Sequence, residues 1–200
     1  MTGRLSIGGQ VYVSDKRIVI ADALYEEFTA KLTAAVEALV PGDPMDPGTT
    51  FAPLSSQAAA DTVRAQIAQA AAHGATATEI GRRVPATGAF VQPTILTGLT
   101  PENPVFYQEI FGPVLSLFRA ANREEAIAIA NDSPYGLCGS VYSTNIGRAV
   151  TVAERIEAGA ITINKPTTAS PELPCGGIKL SAAAASSAIR GSRSSPTPRS

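Results

Sequence analysis

Short β-branched segments alternate with amphipathic helical segments along the chain, and this alternation constrains the fold more than any other feature of the sequence. Helices between successive strands favour parallel pairing, because a parallel connection needs a long crossover. The expected fold class is therefore α/β, with a mostly parallel sheet and covering helices. The predicted strands are residues 11–21, 89–96, 114–118, 138–143 and 160–163, the last of which is expected to be buried.

The helices between these strands have recognisable starts and stops. Their predicted N-caps are Asp22, Ser55 or Ser56, Asn122 and Asn145. The first helix runs to about Leu39, where residues 41–44 supply turn chemistry, and the second ends at Gly74. Pro93 has no backbone N–H to give to a sheet, so its strand is expected at an edge or to be interrupted. Residues 1–10 are polar and glycine-rich, and we expect an irregular start there.

Charge and cysteine content exclude several classes of protein. The chain has 16 basic and 17 acidic side chains, so its charge does not favour nucleic acid or an anionic membrane surface as a partner. No apolar run approaches the roughly 18–20 residues that cross a bilayer. Two cysteines, and no secretory leader in residues 1–10, exclude a secreted protein built on disulfides. We therefore expect a cytoplasmic protein that binds neither nucleic acid nor membrane.

The last 19 residues differ in kind from the rest of the chain. Residues 182–200 contain five Ala, six Ser and three Arg, with no acidic side chain and Ile189 as the one large apolar residue. Such a segment cannot bury enough apolar surface to offset the entropy lost on ordering. We predict one folded domain over residues 1–181 and a disordered Ala/Ser/Arg tail over residues 182–200.

Most short catalytic motifs are missing from the sequence. It contains no G-x-G-x-x-G, no H-E-x-x-H and no G-x-S-x-G. His73 stands just before Gly74, and a cation at a helix C-terminus is favoured there over a catalytic role. Cys138, Cys175 and His73 are isolated, and structural zinc needs about four converging ligands, so no metal site is expected.

Four stretches nevertheless resemble one family in their order and spacing. They are Gly9-Gln10 with Lys16-Arg17, Gly42-Asp43-Pro44 followed by Pro53-Leu54, the Glu-Ile-Phe-Gly-Pro-Val stretch that begins at Glu109, and the Pro-Glu-Leu-Pro-Cys-Gly-Gly-Ile-Lys-Leu-Ser stretch that begins at Pro171. Together they resemble the C-terminal, catalytic-domain part of an NAD(P)-dependent aldehyde dehydrogenase over roughly residues 8–181. The Pro-Glu-Leu-Pro element is most similar to the succinate-semialdehyde dehydrogenase branch.

The resemblance implies an oxidoreductase that converts a small aldehyde substrate into a carboxylic acid, with NAD or NADP as cofactor. In that chemistry a cysteine thiolate adds to the aldehyde, hydride passes to the nicotinamide, and water hydrolyses the thioester. The family has this cysteine two residues after a Gly-Gln pair, where this chain has Tyr12. A phenol is mostly protonated at neutral pH and is a poor acyl carrier. We therefore assign no catalytic residue, and Tyr12 occupies the family's nucleophile position.

The resemblance also implies that part of the family's fold precedes the region matched here. The dinucleotide-binding half, the general-base glutamate and the oxyanion asparagine lie before the Gly-Gln pair, whereas only eight residues precede Gly9. A Rossmann-like unit needs about 30 residues. We expect a truncated domain, a pseudoenzyme that is inactive as an isolated chain. The alternative is a non-catalytic remnant or interaction module.

Four further positions receive roles from the resemblance. Glu109 is similar to the glutamate that accepts hydrogen bonds from the nicotinamide ribose, and Phe111 is similar to the aromatic residue that positions the nicotinamide ring. Asn164 and Cys175 are assigned to the substrate side. The residues by themselves leave other interpretations open: a solvated loop carboxylate for Glu109, a core aromatic for Phe111, and a small apolar side chain for Cys175 and Cys138.

Loss of the preceding half predicts how the chain behaves in solution. Residues 114–118 and 160–163 would then lack some of their neighbouring strands. Because exposed strand edges pair with other chains, we expect self-association through these edges and a tendency to aggregate.

Overall fold

A computed structural model gives the structure of residues 2–168 and 176–183, which belong to two units, Met1–Ile129 and Ala130–Ser200. The predicted tail, residues 182–200, lies outside the described residues from position 184 onward and stays a prediction. Within the described ranges, no helix has both the length and the apolar character needed to cross a membrane.

The first unit alternates helices and strands, as predicted. Its elements are α1 (Thr2–Leu5), β1 (Arg17–Ala21), α2 (Tyr25–Glu37), α3 (Gln57–Ala72), β2 (Thr76–Glu79), β3 (Thr94–Thr97), β4 (Val114–Ala120) and α4 (Arg123–Asn131), whose last residues fall in the second unit. Short 3₁₀ turns cover Ser6–Gly9 and Asp22–Leu24.

The four strands of this unit form one sheet in the order β1-β4-β3-β2. β4 pairs in parallel with β1 and β3, whereas β2 pairs antiparallel with β3. The predicted α/β class with a mostly parallel sheet is confirmed. β3 begins directly after Pro93, so this proline interrupts the predicted strand. The sequence pattern does not predict β2, because its Thr-Ala-Thr-Glu residues are all exposed and lack apolar alternation.

β4 is the central strand of the first unit. Its residues are buried at every position except Arg119, and their side chains alternate between two apolar clusters. One cluster joins Val114 and Phe118 to residues of α3, and the other joins Leu115 and Leu117 to residues of α2. Each face of the sheet is thus covered by a helix. The prediction that this strand forms an exposed edge is wrong, because β1 and β3 flank it.

Two of the predicted N-caps in this unit are confirmed, and one is wrong. The Ser56 hydroxyl accepts the amide N–H of Ala59 at the start of α3, and the Asn122 side chain caps α4 in the same way. Asp22 is not an N-cap, because it lies in a 3₁₀ turn and its carboxylate pairs with Arg119. α2 therefore begins later than predicted.

The start of the chain is ordered, contrary to the prediction for residues 1–10. α1 and the Ser6–Gly9 turn follow one another, and both Arg4 and Leu5 are buried. The turn uses left-handed backbone at Ile7, with φ of 51°, and at the two glycines after it. The sequence does not predict this order, because the segment is polar and glycine-rich. Glycine adopts left-handed backbone as readily as right-handed, and the turn uses this property.

The second unit contains two small sheets. Its elements are β5 (Tyr135–Gly136), β6 (Cys138–Val141), α5 (Ile146–Ala153), β7 (Ala160–Ile163) and β8 (Ile178–Lys179), followed by a 3₁₀ turn at Leu180–Ala183. β6 pairs in parallel with β7, and β5 pairs antiparallel with β8. Asn145 caps α5 as predicted. The prediction of a buried strand at Ala160–Ile163 is wrong, because all four residues are half-buried and β7 pairs with β6 alone in the described ranges.

Side-chain hydrogen bonds cross the strands of the second unit. The hydroxyl oxygens of Ser140 and Thr162 lie 3.1 Å apart across the β6–β7 pair. In β8, the Lys179 ammonium pairs with the Glu157 carboxylate at 2.7 Å and donates to the Asn131 carbonyl at 2.7 Å.

Candidate functional site

A buried arginine joins the loop of the Gly-Gln pair to the Glu-Ile-Phe-Gly-Pro-Val stretch. Arg4 is 3% exposed, and its guanidinium donates to the Ser14 hydroxyl at 2.9 Å and to four backbone carbonyls. These carbonyls are those of Gly9, Ile110, Gly112 and Val114, at 2.5–3.0 Å. A planar guanidinium with five N–H donors suits this number of acceptors. Arg4 therefore fixes the backbones of the two loops against each other.

The surroundings of Arg4 are closely packed. Burial lowers the pKa of its guanidinium to about 10, and the Glu109 and Asp15 carboxylates act in the opposite direction. The guanidinium is still charged at neutral pH. Gly9 has φ of 80°, and a Cβ at this position would lie 2.3 Å from the Gly112 carbonyl oxygen. Position 9 therefore requires glycine both for its backbone angle and for this close approach.

The second residue of the Gly-Gln pair is held by the start of α3. The Gln10 side-chain amide donates to the Ser55 hydroxyl at 3.1 Å, and its carbonyl oxygen accepts the Ser55 amide N–H at 2.9 Å. Ser55 immediately precedes the Ser56 N-cap. This reciprocal pair anchors the loop at the point where it continues into Val11 and Tyr12.

Lys16 brings the predicted cofactor residues beside the loop that carries Tyr12. Its ammonium lies 2.8 Å from the Glu109 Oε1 atom and 5.4 Å from the centre of the Phe111 ring. It also donates to the carbonyls of Val11 and Tyr12, at 3.1 and 3.0 Å. The Lys16 side chain is 17% exposed, against 38% for that of Glu109. Glu109, Phe111 and the backbone of Tyr12 therefore meet at one cation.

Tyr12, at the predicted nucleophile position, lies on an ordered turn. The Ser14 amide N–H donates to the Val11 carbonyl at 3.1 Å and closes the turn, while Lys16 binds the Tyr12 carbonyl. The Tyr12 residue is 56% exposed. Its backbone is thus fixed, and its side chain faces solvent.

Glu109 and Phe111 present a carboxylate acceptor and an aromatic ring side by side. The Glu109 carbonyl accepts from the Gln66 side-chain amide at 3.2 Å, so α3 helps to fix its backbone. A carboxylate has about four acceptor positions, and the Lys16 ion pair leaves acceptor capacity for hydroxyl donors. Phe111 is 38% exposed and offers part of a ring face. This pair can bind the hydroxyls of a sugar beside a flat apolar ring.

Neither of the two residues assigned to the substrate side belongs to the unit that contains this cluster. Asn164 lies in the second unit, where its side chain pairs with the amide and carbonyl of Ser143 at 2.8 and 2.9 Å. Its φ of 55° is left-handed, a conformation that asparagine tolerates better than most residues. Cys175 lies outside the described residues. Both assignments stay predictions.

The other residues that the sequence analysis considered, His73, Gly74 and Cys138, lie in or next to secondary-structure elements. His73 is the C-cap residue of α3, and its Nδ1 atom lies 2.9 Å from the Gln69 carbonyl oxygen. Gly74 has φ of 94°, so the predicted end of this helix is confirmed. Cys138 is a half-buried cysteine in β6. Across residues 2–168 and 176–183, no group of three or more His, Cys, Asp or Glu side chains could hold a metal ion.

Sequence reasoning missed the residues that organise the cluster. Arg4 stands in a segment without apolar periodicity, and the Val114 carbonyl that it binds is 110 residues away along the chain. Lys16 is visible as part of the Lys-Arg pair before β1, but its partner Glu109 is identified only by the fold. Gln66 is half-buried in α3, three residues after buried Val63, and has no distinguishing signal in the sequence.

A cavity in the first unit lies at the Ser6–Gly9 turn, away from the predicted site residues. Its volume is about 210 Å³, and Leu5, Ile7 and Phe51 are among its lining residues. This volume is below the roughly 300 Å³ at which ligand pockets usually begin. The cavity beside Lys16 is smaller still, at about 20 Å³. The cluster at Lys16 is the better candidate because it combines a cation, a carboxylate and an aromatic ring, and not because of its volume.

Comparison with known sequences gives consistent family matches. The sequence model described as the aldehyde dehydrogenase family matches residues 1–193. The NADP(+) succinate-semialdehyde dehydrogenase of Deinococcus radiodurans is 47% identical over 180 residues, which are 90% of this chain and 38% of that protein. The NADP(+) succinate-semialdehyde dehydrogenase 1 of Mycobacterium tuberculosis is 37% identical over 181 residues, 90% of this chain and 40% of that protein. The chain thus spans about 40% of the length of these curated relatives.

Solved structures agree with this result. The crystal structure of succinic semialdehyde dehydrogenase from Streptococcus pyogenes, in complex with NADP+, matches with a TM-score of 0.86 and 48% identity, over 90% of this chain and 39% of that one. A betaine aldehyde dehydrogenase from Staphylococcus aureus, in complex with NAD+, matches with a TM-score of 0.84 and 31% identity, over 90% of this chain and 37% of that one. The expected resemblance to this fold is confirmed.

Proposed function

The chain belongs to the aldehyde dehydrogenase family, and from this premise we propose that Lys16, Glu109 and Phe111 form the nicotinamide-facing side of an aldehyde-oxidising site. The observation that carries the proposal is the 2.8 Å ion pair between Lys16 and Glu109 beside the Phe111 ring. This pair places an acceptor for hydroxyl groups next to an aromatic face.

The proposed reaction is oxidation of an aldehyde to a carboxylic acid with NAD or NADP, which supplies the hydride acceptor when bound. Glu109 accepts hydrogen bonds from the ribose hydroxyls, and Phe111 provides an apolar face for the nicotinamide ring. The Glu109 side chain and Phe111 are each 38% exposed, so a ligand can reach both while Lys16 keeps them adjacent.

Succinic semialdehyde is the proposed substrate. Two observations support it: the Pro-Glu-Leu-Pro stretch resembles that branch of the family, and relatives with 47% and 37% identity carry that substrate in their names. We propose the substrate side for Asn164 and Cys175 on the same resemblance.

Tyr12 limits what the chain does by itself. The reaction needs a thiolate, because this group both attacks the aldehyde carbon and leaves from the acyl intermediate. A phenol does neither well under the same conditions. We therefore propose that this chain does not oxidise aldehydes by itself.

A second candidate function is a non-catalytic interaction module. Tyr12 favours it, since it removes the nucleophile and adds an exposed aromatic ring. Ile7, 75% exposed, and Tyr107, 43% exposed, are further large apolar side chains at the surface of the same unit. Exposed apolar side chains of this kind can take part in binding where they form a contiguous patch.

Titration calorimetry with NADP+ and NAD+ tests the nucleotide side of the proposal. Because the dinucleotide-binding half that the resemblance implies lies before the matched region, we expect the unaltered chain to bind one of them only weakly. Glu109→Gln should bind it about tenfold more weakly still, because a charge-assisted acceptor is lost. Glu79→Gln is the matched control, since Glu79 is an exposed carboxylate paired with Arg83, and its affinity should not change. If the unaltered chain binds neither nucleotide, the proposal is wrong.

Formation of NADH or NADPH from succinic semialdehyde tests the inactivity. We expect no turnover by the unaltered chain, and turnover by it would contradict the role given to Tyr12. Tyr12→Cys supplies the missing thiol, and Tyr12→Ser is its control with a hydroxyl of similar size. Turnover by Tyr12→Cys, with none by Tyr12→Ser, would show that the residue at position 12 accounts for the inactivity and that the rest of the site is competent.

A further inference from the structure

Lys16 occupies a place in the cluster for which the family resemblance supplies no role. Its ammonium bonds to Glu109 Oε1 and to the carbonyls of Val11 and Tyr12, and the Ser14 carbonyl lies 3.4 Å away. An ammonium has three N–H donors, so it can serve the three nearest acceptors together. One side chain therefore binds the backbone of one loop and a carboxylate of another.

Arg4 and Gln66 contact the second loop at different atoms from Lys16. Arg4 donates to the Ile110 and Gly112 carbonyls, which fixes the main chain on both sides of Phe111. Gln66 donates to the Glu109 carbonyl. Both contacts leave the direction of the Glu109 side chain open. In the part of the chain that the structure describes, Lys16 is the cation paired with that carboxylate.

We infer that Lys16 is a positioning residue, which holds the Glu109 carboxylate in one orientation and ties it to the loop of position 12. The inference rests on the proposed function, in which Glu109 receives ribose hydroxyls. A partly exposed glutamate samples several rotamers, and freezing them on binding weakens affinity. An ion pair formed before the ligand arrives removes that cost. The 17% exposure of Lys16 reduces the screening of the pair by water.

Titration calorimetry of the full chain with NADP+ measures the effect on affinity. Lys16→Met keeps the length and apolar stem of the side chain but removes the ammonium, and we expect about five- to tenfold weaker binding, since one more side chain must be ordered. Lys31→Met is the matched control, because Lys31 forms an exposed ion pair with Glu27 at 2.6 Å in α2. The control should bind as the unaltered chain does. Unchanged affinity in Lys16→Met overturns the inference.

A double-mutant cycle with Glu109→Gln separates positioning from general damage. If Lys16 acts through the carboxylate, Lys16→Met changes affinity by less than about twofold in the Glu109→Gln background. An equal loss in both backgrounds overturns the inference. Lys16→Arg keeps a cation, so its affinity should lie between those of the unaltered chain and Lys16→Met. An affinity no better than that of Lys16→Met would also overturn it.

Amide hydrogen exchange supplies a readout that needs no nucleotide. We expect faster exchange in Lys16→Met at residues 11–14 and also at residues 108–112, whereas Lys31→Met leaves both segments unchanged. Unchanged exchange in either segment overturns the link between the loops. If exchange rises throughout the chain, the same comparison is made with Lys16→Arg, which should protect both segments. If the unaltered chain does not bind NADP+, the proposed function fails, and exchange still decides whether Lys16 joins the loops.

Discussion

The sheet of the first unit and the β6–β7 pair of the second unit both contain parallel strands, but they differ in burial. β4 is buried at all positions but one, because strands flank it and helices cover both of its faces. Every residue of β6 and β7 is half-buried. The comparison shows that the burial of a strand depends on its neighbours more than on its own residues.

The largest effect is expected where a buried cation serves several carbonyls. Arg4→Met should lower the free energy of unfolding by about 4 kcal/mol, because removing one side of a buried charged network leaves its partners unsatisfied. Lys179→Met removes a cation that is 24% exposed in the second unit and should cost about 1–2 kcal/mol. Urea unfolding followed by far-ultraviolet circular dichroism measures both losses.

Arg83→Met is the control for these two variants, because Arg83 pairs with Glu79 at the surface and should cause no measurable change. Equal losses at Arg4 and Lys179 would contradict the contrast in burial between the two units.

Truncation of apolar side chains tests the same contrast in the strands themselves. Leu115→Ala should cost about 3 kcal/mol, since Leu115 in β4 is fully buried. Ile161→Ala should cost about 1 kcal/mol, because Ile161 is half-buried in β7 and its surroundings can relax or hydrate. Unfolding curves of both variants provide the test. A loss at Ile161 as large as that at Leu115 would mean that β7 has a buried face.

Removal of a helix cap should affect the two units alike. Ser56→Ala and Asn145→Ala each delete a side-chain acceptor, of the Ala59 and Arg148 amides respectively, and each should cost about 1 kcal/mol. Amide exchange at Ala59 and Arg148 reports the loss locally. A several-fold difference between the two increases would show that capping energy depends on the surrounding unit.

Each unit contains a non-glycine residue with left-handed backbone, and substitutions at the two positions should have opposite effects on stability. Ile7, with φ of 51°, is β-branched and strained, while Asn164, with φ of 55°, suits its conformation. Ile7→Asn should stabilise the chain by about 0.5–1 kcal/mol, since its side chain is exposed and loses little packing. Asn164→Ile should destabilise it. Thermal unfolding checks both signs, and a destabilising Ile7→Asn would contradict the strain.

Self-association through β7 is the weakest expected effect, because a four-residue edge forms few hydrogen bonds. We expect sedimentation of the chain to depend on concentration, and Ile163→Lys to reduce that dependence. Val150→Lys adds the same charge on α5 and serves as the control. Sedimentation as a monomer at all concentrations would contradict this prediction.

The sequence predicts elements whose signals are local. β1 and β4 contain β-branched or apolar runs, and Ser56 and Asn145 cap helices that start at the next residue. β2 is not predicted, because antiparallel pairing with β3 holds four polar, exposed residues in place. The burial of β4 and the partial exposure of β7 are likewise not predicted, because both depend on the elements that pack against these strands.

The candidate site is likewise predicted from the sequence only in part. Glu109 and Phe111 are found through a motif that resembles a family, and Tyr12 is found through its departure from that motif. Their meeting at Lys16 depends on two loops that are far apart in the chain. Arg4 makes that meeting possible, yet its partners are main-chain carbonyls, which every residue possesses. These carbonyl partners of Arg4 therefore cannot be predicted from a pattern of residues.

The fold constrains positions 9 and 12 of the same loop to very different degrees. The Tyr12 side chain is exposed, so exchanging it disturbs little packing, whereas Gly9 nearby has no room for a Cβ. A substitution at position 9 should therefore lower the stability of the fold, whereas a substitution at position 12 should leave it nearly unchanged. Selection for folding alone would retain Gly9 but would not constrain the residue at position 12. Only selection for turnover can retain a thiol at position 12.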